Sequence, residues 1–166
     1  DYCVDPLGRA IQEVKRGQRD LPYILQIGDP GYHTQTSLFP QFRDKYSSSW
    51  GFDFLYGYRS THEEMPVDEI NLTINRFQAA ARRLYCAGCD GVEITVSKGY
   101  LIHQFLNPGI NRRTDDYGGS LEKRFRFLRE IALAVRAAVG EDFLFGIRIS
   151  ARDYNWLPLP ALLRWP

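Results

Sequence analysis

The sequence predicts an α/β fold with about three parallel strands and intervening helices. Three observations carry this: short apolar runs of β-forming residues, amphipathic stripes with helical spacing, and the order in which they come, helix, strand, helix, strand, helix, strand. Strands joined through helices need right-handed crossovers, and such crossovers give a parallel sheet.

A short helix is expected around Ala10 to Arg16. Tyr23-Ile24-Leu25-Gln26-Ile27 then reads as a buried strand, stopped by the turn-forming Gly28-Asp29-Pro30-Gly31. The stretch from His33 to Pro66 is rich in aromatics and Ser and has no clear period, so it is expected to be a long functional or disordered loop. Ile70, Ile74, Phe77, Ala81 and Leu84 follow one another at spacings of 4, 3, 4 and 3, the stripe of an amphipathic helix. Asp68 and Glu69 suit its positive N-terminal end, and Gly88 suits its C-terminal stop. Gly91 to Val96 is the second strand. Phe125, Leu128, Ala132, Val135 and Val139 mark the next helix, with Ser120 to cap its start and Gly140 to end it. Phe143 to Ile149 is the third strand. Residues 1–150 thus form one α/β domain. Residues 151–166 contain Pro158, Pro160 and Pro166, which oppose a helix or a central strand, so this Pro-rich tail reads as foreign to the fold before it.

The 166 residues carry 21 Lys and Arg against 20 Asp and Glu, a net charge of +1. That balance gives no support to a nucleic-acid partner or an acidic tail. With 44% hydrophobic and 25% charged residues the chain is too apolar for disorder, and its apolar runs are too short to span a membrane. Three Cys cannot all pair, and no signal peptide opens the sequence, so a reducing, cytoplasmic setting is expected. The sequence starts at Asp1 and its one Met is Met65, which raises the expectation of a processed product or an internal fragment.

Active sites of parallel α/β proteins lie at the C-terminal ends of the strands. That rule selects Gln26, Thr95 and Arg148, with Lys98 and Tyr100 just beyond the second strand. An amide, a hydroxyl, a phenol and two cations suit a flat, anionic, hydrogen-bonding ligand; they would also serve simply to satisfy strand ends. Cys86-Ala-Gly-Cys89 has CxxC spacing but sits at a helix-to-strand turn without a second ligand pair, so two small structural residues are the better reading, and no metal site is expected. His103 reads as loop or core structure, and His33 and His62 as surface residues of the long loop. Arg112, Arg113, Asp115 and Asp116 read as ion pairs pinning the loop after the second strand.

The run Asp90-Gly-Val-Glu-Ile-Thr-Val-Ser-Lys-Gly-Tyr-Leu-Ile-His-Gln-Phe-Leu-Asn-Pro-Gly-Ile-Asn-Arg-Arg-Thr-Asp-Asp-Tyr-Gly-Gly-Ser120, with Glu122 and Arg124 after it, closely resembles the old yellow enzyme family of FMN-dependent oxidoreductases. It is most similar to the bacterial branch that includes 2,4-dienoyl-CoA reductase and trimethylamine dehydrogenase. The resemblance extends back to Leu25-Gln26-Ile27-Gly28 and forward to Gly146-Ile147-Arg148-Ile149-Ser150. It implies a TIM (β/α)₈ barrel with FMN at its C-terminal mouth, of which residues 1–150 would be an incomplete part. It also implies that Gln26 hydrogen-bonds the flavin pyrimidine edge. Arg148 would lie by flavin N1 and the C2 carbonyl, where a fixed cation favours the anionic reduced ring. Tyr100 matches the family's proton donor, and a phenol ordinarily holds its proton at neutral pH. The implied reaction carries hydride from NAD(P)H through flavin N5 to an activated alkene, with Tyr100 protonating the α-carbon. The substrate would be a small unsaturated molecule, an acyl-CoA thioester among the candidates, with neither nucleic acid nor membrane as partner. The branch's 4Fe–4S cluster would belong only to a part of a parent protein after the barrel.

The sequence departs from the family at Thr95 and Lys98, where the family has His-x-x-His or His-x-x-Asn gripping the substrate oxygen. The spacing is kept and both side chains differ. Thr95 offers a shorter hydroxyl and reads as a permissive replacement. Lys98 offers a point-charge donor that could polarise a thioester or ketone oxygen, approach flavin N1, or stand exposed. The alternative to an active flavoenzyme is an inactive barrel fragment unable to hold FMN by itself, because the family binds the phosphate mostly through the last two strands' loops.

Overall fold

The computed structural model describes residues 4–17, 20–36, 45–55 and 58–150. The tail 151–166, with its prolines, lies outside the described residues. The elements run α1 (Val4–Gly17), β1 (Ile24–Ile27), a 3₁₀ turn (Gly31–Thr36), β2 (Tyr46–Ser47), β3 (Gly51–Leu55), β4 (Tyr58–Glu64), α2 (Val67–Cys86), β5 (Gly91–Val96), α3 (Leu101–Leu106), α4 (Leu121–Val139) and β6 (Leu144–Ile149). They divide into two compact units.

The first unit holds the described residues up to Gly28, then Asp68–Thr95 and Arg129–Arg148. Its sheet has the order β1-β5-β6, with β1 and β5 parallel and Gln26 paired in register with Glu93. The central strand is the buried one: Val92 and Ile94 are inaccessible to solvent. The predicted stripe of α2 is buried at Ile70, Phe77, Ala81 and Leu84, and α4 buries Ile131, Val135 and Val139. Each of the larger side chains, Ala81 aside, contributes roughly 1.5–3 kcal/mol by leaving water. Gly88 and Gly140 end the two helices with φ of +84° and +80°, the left-handed conformation that glycine adopts without a Cβ clash.

Two expectations are corrected here. The first strand is not buried: Ile24 is 47% and Leu25 36% exposed, because β1 is an outer strand of this sheet. Outer β6 likewise leaves Leu144, Ile147 and Ile149 exposed. The first helix is longer than Ala10 to Arg16 and begins at Val4.

Asp90 ties the unit's turns together. Its carboxylate accepts from Lys15 Nζ at 2.7 Å and from the Tyr23 backbone N–H at 2.7 Å. The hydrogen bond from Lys15, and then that from Tyr23, hold the Asp90 carboxyl below its ordinary range. A depressed carboxylate pKa contributes stability that is complete above the unfolded value of about 3.9 and disappears as pH falls from there through the folded value. The urea midpoint is therefore expected to fall as pH drops below about 4, and Asp90→Asn is expected to flatten that fall. An unchanged acid limb in Asp90→Asn would assign the loss elsewhere.

The second unit holds the described residues of Asp29–Val67 and Val96–Leu128, with Ile149 and Ser150. The stretch His33 to Pro66 is not a structureless loop within the described residues. It contains a sheet of order β2-β4-β3, with β3 antiparallel and β2 parallel to β4. The apolar period is hidden because β4 reads Tyr-Arg-Ser-Thr-His-Glu-Glu, nearly all polar. The segment after β5 also forms the six-residue helix α3, which buries Leu101, Ile102, Gln104 and Phe105. Phe105 packs its ring 4.6 Å from Phe127 and 6.4 Å from Tyr117.

The loop from Asn107 to Ser120 is held by side chains in place of regular structure. Asn111 Nδ2 donates to the carbonyls of Phe105 at 2.6 Å and Tyr117 at 2.7 Å. Arg113 is 4% exposed; its Nε and Nη2 grip Asp115 at 3.0 and 2.5 Å, and its Nη1 reaches the Met65 carbonyl at 2.7 Å. The predicted ion pairing of this loop is thus present, and Asp116 adds exposed contacts to Lys123 at 3.2 Å and Arg126 at 3.3 Å. Ser120 caps α4 as expected, its Oγ accepting from Lys123 N at 3.3 Å.

Candidate functional site

Near the C-terminal ends of β1 and β6, Gln26 and Arg148 meet Glu93 from the middle of β5. Gln26 Nε2 donates to Glu93 Oε1 at 2.5 Å, and Arg148 Nε donates to the same oxygen at 2.7 Å. Arg148 Nη2 lies 3.5 Å from Glu93 Oε2. The parallel register sets Gln26 beside Glu93, and β6 supplies Arg148 on the other side of β5. Arg148 first, and Gln26 second, hold the Glu93 carboxyl below its usual range. A carboxylate only accepts hydrogen bonds, so Gln26 must turn its NH₂ group toward Glu93. Gln26 and Arg148 are both exposed beyond that contact.

Thr95 is the next inward residue of β5 on the face of Glu93, and it is buried. It lies so close to Gly28 that a Cβ on Gly28 would stand 2.9 Å from Thr95 Cβ. Thr95 therefore closes against the turn after β1, and Gly28 is the residue that lets it.

Lys98 and Tyr100 belong to the second unit. Lys98 is exposed with φ +62°, and Gly99 follows at +71°, so two left-handed residues turn the chain out of β5. A conformation rare for a side-chain-bearing residue fits a place where side-chain direction matters. His103 fixes the turn: its Nδ1 accepts the Gly99 N–H at 2.9 Å. Tyr100 is partly buried at the start of α3, and its carbonyl accepts from Gln104 N at 2.9 Å. Its ring stands edge-on to His33, with centroids 5.8 Å apart.

His33 and His62 are not simple surface residues. His62 is buried, stacks on Tyr32 at 4.3 Å, and its Nδ1–H donates to the Ser49 carbonyl at 2.7 Å. Tyr32 also lies 4.8 Å from His33. The loop thus builds an aromatic group beside Tyr100 within the second unit. Glu93 is the residue that the strand-end rule missed. Its signal was an acid two positions inside a strand otherwise made of Gly, Val, Ile and Thr. Cys86 and Cys89 carry free thiols, and burial pushes the Cys89 thiol up. Among the described residues no group of three or more His, Cys, Asp or Glu is placed to hold a metal ion, and no helix is long and apolar enough to cross a membrane.

Residues 43–159 match the model of the NADH:flavin oxidoreductase / NADH oxidase family. The chain belongs to this family. Its relatives include an NADPH dehydrogenase of Bacillus pumilus (strain SAFR-032), 52% identical over 95 residues, a stretch covering 57% of this chain and 28% of that protein. Among solved structures it is similar to morphinone reductase, with TM-score 0.68 and 28% identity over 86% of this chain and 41% of the other. It is also similar to a 2-naphthoyl-CoA reductase in complex with 2-naphthoyl-CoA, with TM-score 0.59 and 38% identity over 62% of this chain and 16% of the other. The chain therefore spans less than half the length of each of these relatives. Its parallel strands and intervening helices fit the TIM (β/α)₈ barrel fold of this family.

Proposed function

We propose that this chain carries part of the flavin site of a cytoplasmic, FMN-dependent oxidoreductase that uses NAD(P)H to reduce an activated alkene. The observation that carries the reading is the convergence of Gln26 and Arg148 on Glu93 at the strand ends of a flavin-oxidoreductase chain. The donor set suits FMN. The pyrimidine edge of a flavin alternates carbonyl acceptors with an N–H donor. Gln26 spends one N–H on Glu93 and keeps a second N–H and its carbonyl oxygen; Arg148 spends Nε and keeps Nη1. Gln26 would hold the edge and Arg148 would face the C2 carbonyl side, where a fixed cation favours negative charge. FMN, when bound, supplies the acceptance of hydride from NAD(P)H and its delivery to the substrate.

The other residues act on the substrate. Tyr100 gives its phenolic proton to the α-carbon. Lys98 polarises the substrate oxygen in place of the family's histidine pair, and Thr95 is a permissive replacement for the first of those histidines. A conjugated acyl-CoA thioester is the proposed substrate class, in keeping with the naphthoyl-CoA bound by one similar enzyme. The exposed apolar residues of β1 and β6 favour a second reading for the isolated 166 residues: alone, they form a part-barrel that does not retain FMN.

The test is purification of the protein from its complete reading frame. It is expected to be yellow, to release FMN on denaturation, and to be bleached by NAD(P)H without oxygen. A folded protein with no flavin would refute the reading. Arg148→Lys keeps the charge but loses the planar fork that spans Glu93 and a second acceptor. It is expected to weaken FMN binding about tenfold, roughly 1.4 kcal/mol, measured by flavin fluorescence titration.

A further inference from the structure

Glu93 is not needed to hold β5. The strand is buried through Val92 and Ile94, and its ladder is made by backbone groups. Yet the Glu93 carboxylate accepts from both Gln26 and Arg148. It lies on the face between their strands, and a Cβ placed on Gly146 of β6 would meet Glu93 Cγ at 3.7 Å, an ordinary contact distance. Its side chain is only 26% exposed, while that of Arg148 is 59% exposed. The carboxylate therefore has a fixed seat, and the guanidinium is the partner that extends outward from it.

We propose that Glu93 is a positioning residue that orients Gln26 and Arg148 toward the flavin and offsets part of the Arg148 charge, so that it sets the reduction potential of the bound flavin. The proposal rests on the flavin-site reading above. Two consequences follow from the geometry. First, because Glu93 only accepts, Gln26 has one orientation: NH₂ toward Glu93, carbonyl oxygen free for a flavin N–H. Second, the negative charge of the Glu93 carboxylate, held 2.7 Å from Arg148 Nε, lowers the net positive field at the pyrimidine edge. Reduction places negative charge on that edge, so Glu93 makes the flavin harder to reduce than Arg148 alone would.

The experiment uses FMN-loaded protein from the complete reading frame and reads the flavin midpoint potential by dye-equilibrated reduction, together with the FMN dissociation constant. Glu93→Gln keeps the shape and removes the charge. It is expected to shift the equilibrium at least tenfold toward reduced flavin, a rise of about 30 mV for a two-electron couple. Glu93→Asp keeps the charge and shortens the reach by one CH₂. It is expected to leave the potential within a factor of three of wild type in that equilibrium while weakening FMN binding, and it serves if Glu93→Gln does not fold. A purely structural ion pair would leave the potential of every folded, FMN-loaded variant unchanged, and that result overturns the proposal while leaving the flavin-site reading intact. A downward shift in Glu93→Gln also overturns it. A wild-type protein that binds no FMN overturns both.

Discussion

Arg113→Ala is expected to destabilise the protein by about 3 kcal/mol, a large part of the 5–15 kcal/mol that holds a typical domain together. Arg113 is buried, and its guanidinium satisfies three groups at once: the Asp115 carboxylate and the carbonyls of Ser48 and Met65. It also lies 5.7 Å over the Phe105 ring. Alanine would strand two carbonyls in a site where Arg113 Nη1 now serves both, and each unsatisfied buried acceptor costs about 1–3 kcal/mol. The Asp115 side chain is 39% exposed, so solvent would recover part of the lost ion pair; most of the loss comes from the carbonyls and the cavity. Arg113→Lys is expected to recover little, because an ammonium lacks the fork that reaches both sides. Urea unfolding at constant m-value measures the effect. A loss below about 1 kcal/mol would show that the loop is held by other contacts, Asn111 first among them.

Tyr100→Phe is expected to lower alkene reduction by about 100-fold or more, the usual contribution of a positioned general acid. The substitution removes one oxygen and keeps the ring that packs edge-on against His33, so folding should not change. The discriminating readout is the separation of half-reactions. NAD(P)H-driven bleaching of the flavin should run at the wild-type rate, and reoxidation by the alkene should slow. Wild-type turnover in Tyr100→Phe would remove Tyr100 from the chemistry and move attention to Lys98, whose left-handed backbone already sets it apart.

Much of the first unit is legible because its helices repeat an apolar stripe over about four turns and end in glycine. Ile70 through Leu84 and Phe125 through Val139 needed no tertiary information, and the structure starts and stops α2 and α4 within a few residues of those stripes. The second unit was less legible for a physical reason. Its helix α3 has six residues and is buried nearly all round, so it has no polar face to give a period. Its strand β4 is polar and is defined by pairing with β2 and β3, which is non-local information. His62 looks like a surface residue in Thr-His-Glu-Glu, yet packing on Tyr32 buries it. In the proposed site, Gln26 and Arg148 stand next to strand ends, where sequence order alone points to them. Glu93 does not, because it lies three residues before the end of β5 and its contact with Gln26 exists only through register with the neighbouring strand.

That shared carboxylate is where sequence, fold and proposed chemistry meet. The most direct test of the central claim is an anaerobic titration of the protein, purified from its complete reading frame, with NAD(P)H while its visible absorbance is followed. One equivalent of NAD(P)H per bound FMN is predicted to bleach the yellow band, and addition of a conjugated enoyl thioester is predicted to restore it. A folded protein that carries FMN but is neither bleached by NAD(P)H nor reoxidised by such an alkene would contradict the account.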